Sequence, residues 1–184
     1  MLNYLHQIAK IVIDRRSRKR FWGFRPVIIC IIQASDDEDK FLFITPAAKP
    51  TAWMPPQEGI EPDENTNSAI LRCLRTELGI QDNQLYIRRS VWLGDRKIPE
   101  QRGARDVPLS LFPMRGKAYY AALVRVPTSV EVNCNAAEIA KFEWMTTQEI
   151  EARLATNSER KIGLLNLSFQ KLLNRNLTVP SDED

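Results

Sequence analysis

The chain has 184 residues, with 26 Lys and Arg against 23 Asp and Glu and a single His, giving a formal net charge of +3. That length suits one domain with its own core, and 43% hydrophobic with 27% charged residues excludes a disordered or collagen-like chain. No apolar stretch approaches the roughly 20 residues that span a bilayer, so no membrane partner is expected.

In chain order, Leu2, Leu5, Ile8, Ile11 and Val12 recur at helical spacing and predict a short amphipathic helix or arm over 2–20. Phe24–Ala34 and Lys40–Thr45 read as strands separated by an acidic turn at 35–39. The stretch 46–64 is broken by Pro46, Pro50, Pro55, Pro56, Gly59 and Pro62 and reads as loop. Thr66–Leu78 is the clearest helix, with Asn65 or Thr66 as cap, an apolar stripe at Ile70, Leu74 and Leu78, and Gly79 as stop. Leu85–Leu93 is strand-like, followed by a long polar, basic connection over 94–114. Lys117–Val126 and Phe142–Met145 read as strands, a helix follows from Thr146 or Thr147 to Leu154, and Ile162–Leu173 closes the fold. This order predicts an α/β layer fold around a mixed sheet.

Charge is unevenly placed. Arg15, Arg16, Arg18, Lys19 and Arg20 lie within six residues, and removing these five from the +3 total leaves −2. Such a run could meet nucleic acid, a membrane surface or a polyphosphate, but charge runs are more commonly solvated faces, and that is the expectation here. Cys30, Cys73 and Cys134 are widely spaced with no CxxC, and the N-terminus lacks a signal-peptide layout, so a reducing cytoplasm is expected. The single His6 lies far from any motif and takes no catalytic role; a His-rich zinc site is excluded.

The informative segment runs from Trp53-Met54-Pro55-Pro56-Gln57-Glu58-Gly59-Ile60 through Glu64 to Gly79-Ile80. It resembles the Nudix box, G-x5-E-x7-R-E-U-x-E-E-x-G-U, with Glu64, Arg72, Leu74, Glu77, Gly79 and Ile80 on matching positions. The lead-in resembles the W-x-x-P-Q-G-G-I of the RNA pyrophosphohydrolase and dinucleoside polyphosphate hydrolase branch. Trp92-Leu93, Gly116-Lys117 before Tyr119-Tyr120, and Phe142-Glu143-Trp144-Met145 with Gln148-Glu149 extend the resemblance over roughly residues 25 to 155. It implies a Nudix fold, an α/β/α sandwich around a mixed β-sheet. The organisation becomes an N-terminal helix and basic arm (1–22), a Nudix domain (23–155), and a C-terminal helix with an acidic tail packed on it (156–184).

The departures fall on the chemistry. The family places three carboxylates at i, i+3 and i+4 on one helix face to hold Mg2+ or Mn2+ against a pyrophosphate. Here those positions are Cys73, Thr76 and Glu77, and the leading glycine is Glu58. Glu77 is the expected main metal ligand, with Glu58, Glu64 and Glu138 as helpers, and Glu77 and Glu64 are the expected catalytic groups. The resemblance also implies that Glu64 pairs with Arg72 as scaffold, alongside Gly59 and Gly79. The soft Cys73 thiol suits zinc or copper better than magnesium, and a helical Cys is more often a small buried hydrophobe.

Lys117, Arg115 and Arg96 could contact phosphates or form a solvated loop. Tyr119 and Tyr120 alternate faces, so at most one meets the cleft, while Trp53 and Trp92 could stack on a base or pack in the core. Two functional classes follow. One is a protein that recognises a nucleotide, dinucleoside polyphosphate or RNA 5' end with hydrolysis impaired or lost. The other is an active metal-dependent pyrophosphohydrolase using Glu77 with Glu58, Glu64 or Glu138. A homodimer through the arm or the last helix stays open.

Overall fold

β1 (Phe24–Ala34) is apolar at nearly every position because both of its faces are covered. Its even-numbered residues Ile28, Cys30 and Ile32 pack with Ile70, Cys73, Leu74 and Leu78 of a helix on one side. Its odd-numbered Ile29 and Ile31 pack with Phe41, Phe43, Ile150, Leu165 and Phe169 on the other. The computed structural model describes residues 16, 19–20, 22–97, 114–154 and 159–178.

Around β1 run β2 (Lys40–Pro46), β3 (Gln57–Gly59), α1 (Thr66–Leu78), β4 (Tyr86–Lys97), β5 (Gly116–Val126), β6 (Ile139–Thr146), α2 (Thr147–Leu154) and α3 (Glu159–Leu173). The sheet order is β4-β5-β1-β2-β6 and it is mixed: β1 pairs parallel with β5, while β1–β2, β2–β6 and β4–β5 are antiparallel. The other edge of β1 is shared. β2 takes it at Ile32 and Gln33, and β3 takes it at Val27, Ile28 and Ile29. This sandwich of α1, sheet and α2/α3 is the α/β fold expected. Among the described residues, no helix is long and apolar enough to cross a membrane.

Three expectations need correction. The 46–64 stretch is not all loop, because the backbone of Gln57–Gly59 reaches the β1 edge left open by β2 and forms β3. The basic connection does not begin at 94. β4 continues through a bulge at Gly94 (φ 128) and pairs Asp95, Arg96 and Lys97 with Ala118, Lys117 and Gly116. The basic run is not simply a solvated face. Arg20 is buried and bonds the Ile60 carbonyl, Lys19 pairs with Asp95, and Arg16 donates to the Thr66 hydroxyl at 3.0 Å. The predicted amphipathic helix over 2–20, His6 and the 98–113 connection otherwise lie outside the described residues.

β4 and β5 approach so closely at Gly116 that a Cβ there would sit 2.1 Å from the Arg96 carbonyl oxygen. Gly116→Ala should therefore lower the unfolding free energy by about 1–3 kcal/mol. Gly163 on α3 has nothing within 4 Å of an added Cβ, so Gly163→Ala should raise it by about 0.5–1 kcal/mol. Urea denaturation midpoints check both, and equal effects would contradict the packing difference.

Candidate functional site

The site is built from the two ends of the motif, and α1 fixes one of them. Asn65 is its N-cap, accepting from the Ser68 N–H at 2.9 Å, and Gly79 closes it in the left-handed conformation (φ 70). From the middle of this helix Arg72 reaches back to the preceding loop. Its Nε and Nη2 donate to the two Glu64 oxygens, each at 2.8 Å, its Nη2 also donates to the Gly59 carbonyl at 2.7 Å, and its Nη1 donates to Glu58. The Arg72 bond holds the Glu64 carboxyl below the usual range, and the same pairing raises Arg72. Glu64 thus takes the bracing position that the resemblance implies, and both of its oxygens face Arg72.

One turn on, Cys73 and Glu77 share the inner face of α1, four residues apart. Cys73 is 0% exposed and its thiol is hydrogen-bonded to Cys30, which with burial pushes its pKa up. Its packing matches the buried-hydrophobe expectation, but it also touches the acids. One ligand atom each from Glu58, Cys73 and Glu77 lies within 4.8 Å of the other two. Thr76 turns its hydroxyl back to the Arg72 carbonyl at 2.8 Å. Glu77 is 8% exposed; burial first, then the charges of Glu58 and Glu138, push its carboxyl up to about 8.

Glu58, Thr76 and Glu77 line a cavity of about 480 Å3, and Glu138 closes it from the other side. Glu138 is carried there because its loop docks on the end of α1: the Asn133 and Asn135 N–H groups donate to the Leu78 and Glu77 carbonyls at 2.8 and 3.0 Å. The remaining lining combines Val27, Gln57 and Gly59 with two cations. Arg25 and Lys117 line it and are paired neighbours on β1 and β5, and Arg96 on β4 is paired with Lys117 in turn. The register therefore sets Arg25, Lys117 and Arg96 in one row across three strands, on one face of the sheet.

The other candidates are placed elsewhere. Trp53 is 7% exposed and belongs to the α2/α3 core, where its ring lies 4.7 Å from both Lys141 and Arg153; it is outside the cavity lining. Trp92 packs on the α1 side beneath Lys19. Tyr120 is buried in the α1 core, whereas Tyr119 shares the Lys117 face and packs against the other core. Arg115 lies over the Phe24 ring at 5.9 Å. Arg25 was missed by sequence reasoning; its only signal is a charge that opens an otherwise apolar strand.

Because the Glu77 pKa of about 8 lies above its ordinary 4.5, its contribution to stability is full below pH 4.5 and is lost as pH rises through about 8. Glu77→Gln cannot lose that proton. In chelator-treated protein, the variant should gain thermal stability over the wild type as pH climbs across this window. Parallel Tm profiles would show instead that Glu77 is solvated.

Comparison with known proteins adds the family. The profile described as NUDIX domain matches residues 23–165, whereas a search of curated protein sequences returns no match. Among solved structures, a Caenorhabditis elegans Ap4A hydrolase binary complex is similar with TM-score 0.57 and 17% identity, covering 82% of this chain and 99% of that one. The Escherichia coli dihydroneopterin triphosphate pyrophosphohydrolase is similar with TM-score 0.56 and 16% identity, covering 82% and 97%. At these identities the likeness is one of fold. The profile match spans most of the sequence, and the chain belongs to the Nudix family.

Proposed function

We propose that this protein recognises a nucleoside-diphosphate-linked ligand, whether nucleotide, dinucleoside polyphosphate or RNA 5' end, with phosphoanhydride hydrolysis impaired or lost. The carrying observation is the inner face of α1: Glu77 is its one carboxylate in the cavity wall, beside buried Cys73 and back-bonded Thr76. Mg2+ takes hard oxygen donors in near-octahedral array and keeps several waters. The donor set of Glu58, Cys73 and Glu77 replaces one of those oxygens with sulfur, and Glu64 is committed to Arg72. These residues do not fit Mg2+ as the family holds it.

Recognition needs no such ion. Arg25 and Lys117 present positive charge along the cavity wall, and Arg96 continues the row outward. Successive phosphates along a chain of anhydrides would meet successive cations there. The similarity to an Ap4A hydrolase and a triphosphate pyrophosphohydrolase favours ligands of this kind. One observation favours the second reading, an active enzyme: Glu58, Glu77 and Glu138 line a single cavity.

The test is binding and turnover of diadenosine tetraphosphate, ADP-ribose and triphosphorylated RNA with Mg2+ or Mn2+. Calorimetry should show binding that Lys117→Ala weakens about tenfold, consistent with the loss of one charged hydrogen bond. Turnover should match that of Glu77→Gln. Metal-dependent cleavage that disappears in Glu77→Gln would overturn the binding reading in favour of the enzyme. Restoring the carboxylates in Cys73→Glu with Thr76→Glu should raise turnover by about 100-fold or more, since one lost electrostatic stabiliser commonly costs that much.

A further inference from the structure

We propose that Glu58, Cys73 and Glu77 form a site for a thiophilic divalent cation of the Zn2+ class, selected over Mg2+ by the cysteine sulfur. The first support is geometric. One ligand atom from each residue lies within 4.8 Å of the other two. Donors on one tetrahedral Zn2+, at about 2.3 Å for sulfur and about 2.0 Å for oxygen, stand roughly 3.3–3.5 Å apart. The separations need to shorten by at most roughly 1.5 Å to close the set, within reach of side-chain rotation.

The second support is an unsatisfied acid. Arg72 occupies one oxygen of Glu58, and the other, Oε2, is buried with no hydrogen-bond partner. A buried polar oxygen left in this way is costly, and a cation among these three side chains would satisfy it. Glu77, 92% buried by its 8% exposure, has the Cys73 thiol as its hydrogen-bond partner, so an ion replacing that proton contacts both groups. The Cys73 thiol proton, and any proton carried by Glu77, pass to solvent as the metal–sulfur and metal–oxygen bonds form, with no change of oxidation state.

Sulfur then decides which ion. A thiolate is a soft donor that favours Zn2+, Cd2+ or Co2+ and gives Mg2+ nothing. Three protein donors leave a coordination position, and the Glu58–Glu77 pair lines the cavity into which it would open. The proposal is measured on the protein alone and is independent of whether a nucleotide binds or is cleaved.

The experiment titrates the metal-stripped full chain with Co2+, whose thiolate charge-transfer and tetrahedral d–d bands report sulfur ligation directly. The expected result is one equivalent of Co2+ with a charge-transfer band, displaced by Zn2+ and unaffected by a large excess of Mg2+. Cys73→Ser should abolish the band and weaken Zn2+ binding by at least about tenfold. Glu58→Gln should weaken Zn2+ binding while keeping the band, and Cys134→Ser should change neither. Absence of the band in the wild type, its persistence in Cys73→Ser, or displacement of Co2+ by Mg2+ as readily as by Zn2+ would overturn the proposal. If Cys73→Ser does not fold, an unaltered Zn2+ affinity in Glu58→Gln overturns it. None of these outcomes touches the nucleotide-binding measurements, which stand or fall separately.

Discussion

The guanidinium of Arg72 holds the site together. Its donors run to both Glu64 oxygens, to the Gly59 carbonyl and to Glu58, so one side chain on α1 ties down the whole 58–64 segment. A planar fork can do this where a lysine could not, because the acceptors lie in several directions around one plane. Without it, Glu58 and Glu64 would lose the cation that both of them bond. The clamp also sets the chemistry of Glu58. By taking one of its oxygens, Arg72 turns this acid toward the helix and leaves Oε2 enclosed. The residue that replaces the leading glycine of the box is thereby brought beside Cys73 and Glu77.

A second constraint lies in the sheet. β1 shares one edge between β2 and β3, and the edge that β2 leaves is taken by β3, which brings Glu58 into the cavity lining. The alternation of β3 then sorts charge: Glu58 is paired with Ile28 on the α1 face, while Gln57 and Gly59 pair with Ile29 and Val27 on the opposite face. The opposite face carries Arg25 and Lys117. Acid and base thus enter one cavity from the two sides of the same short strand. A net charge of +3 says nothing of this, because it sums groups that the fold separates by a strand's thickness.

What was legible in the sequence follows from the range of the interactions involved. α1 could be read residue by residue because its cap, stripe and stop all lie within one short local segment from Asn65 to Gly79, and the observed helix is Thr66–Leu78. The box positions were legible for the same reason, including the loss of carboxylates at Cys73 and Thr76. The parallel register between β1 and β5 was not, since it joins residues about ninety apart through pairing that no local pattern encodes, and Arg25 was lost with it. The basic run misled for a related reason. Its composition looks solvated, yet Arg20 is buried against the Ile60 carbonyl and Lys19 meets Asp95, partners set by tertiary packing. The Cys30–Cys73 contact is of the same kind: each cysteine was visible, but their meeting across the helix–sheet interface was not.

The balance of charge in the cavity constrains how any polyphosphate could enter. Glu58, Glu77 and Glu138 oppose an anion, and Arg25 and Lys117 attract it. Arg72 already bonds Glu58, so the carboxylates left to oppose an anion are chiefly Glu77 and Glu138, in a half-enclosed space where charges are poorly screened. Burial changes the sum. It pushes the Glu77 pKa up to about 8, which favours the protonated form and lowers the repulsion that an entering anion meets. In an active Nudix helix the metal neutralises such acids and does chemistry at once. A proton on Glu77 lowers the negative charge of this wall without supplying a Lewis acid, the electrostatic condition under which the proposed binding without cleavage would operate. A thiophilic cation would replace that proton, and would then bring positive charge of its own to the same wall.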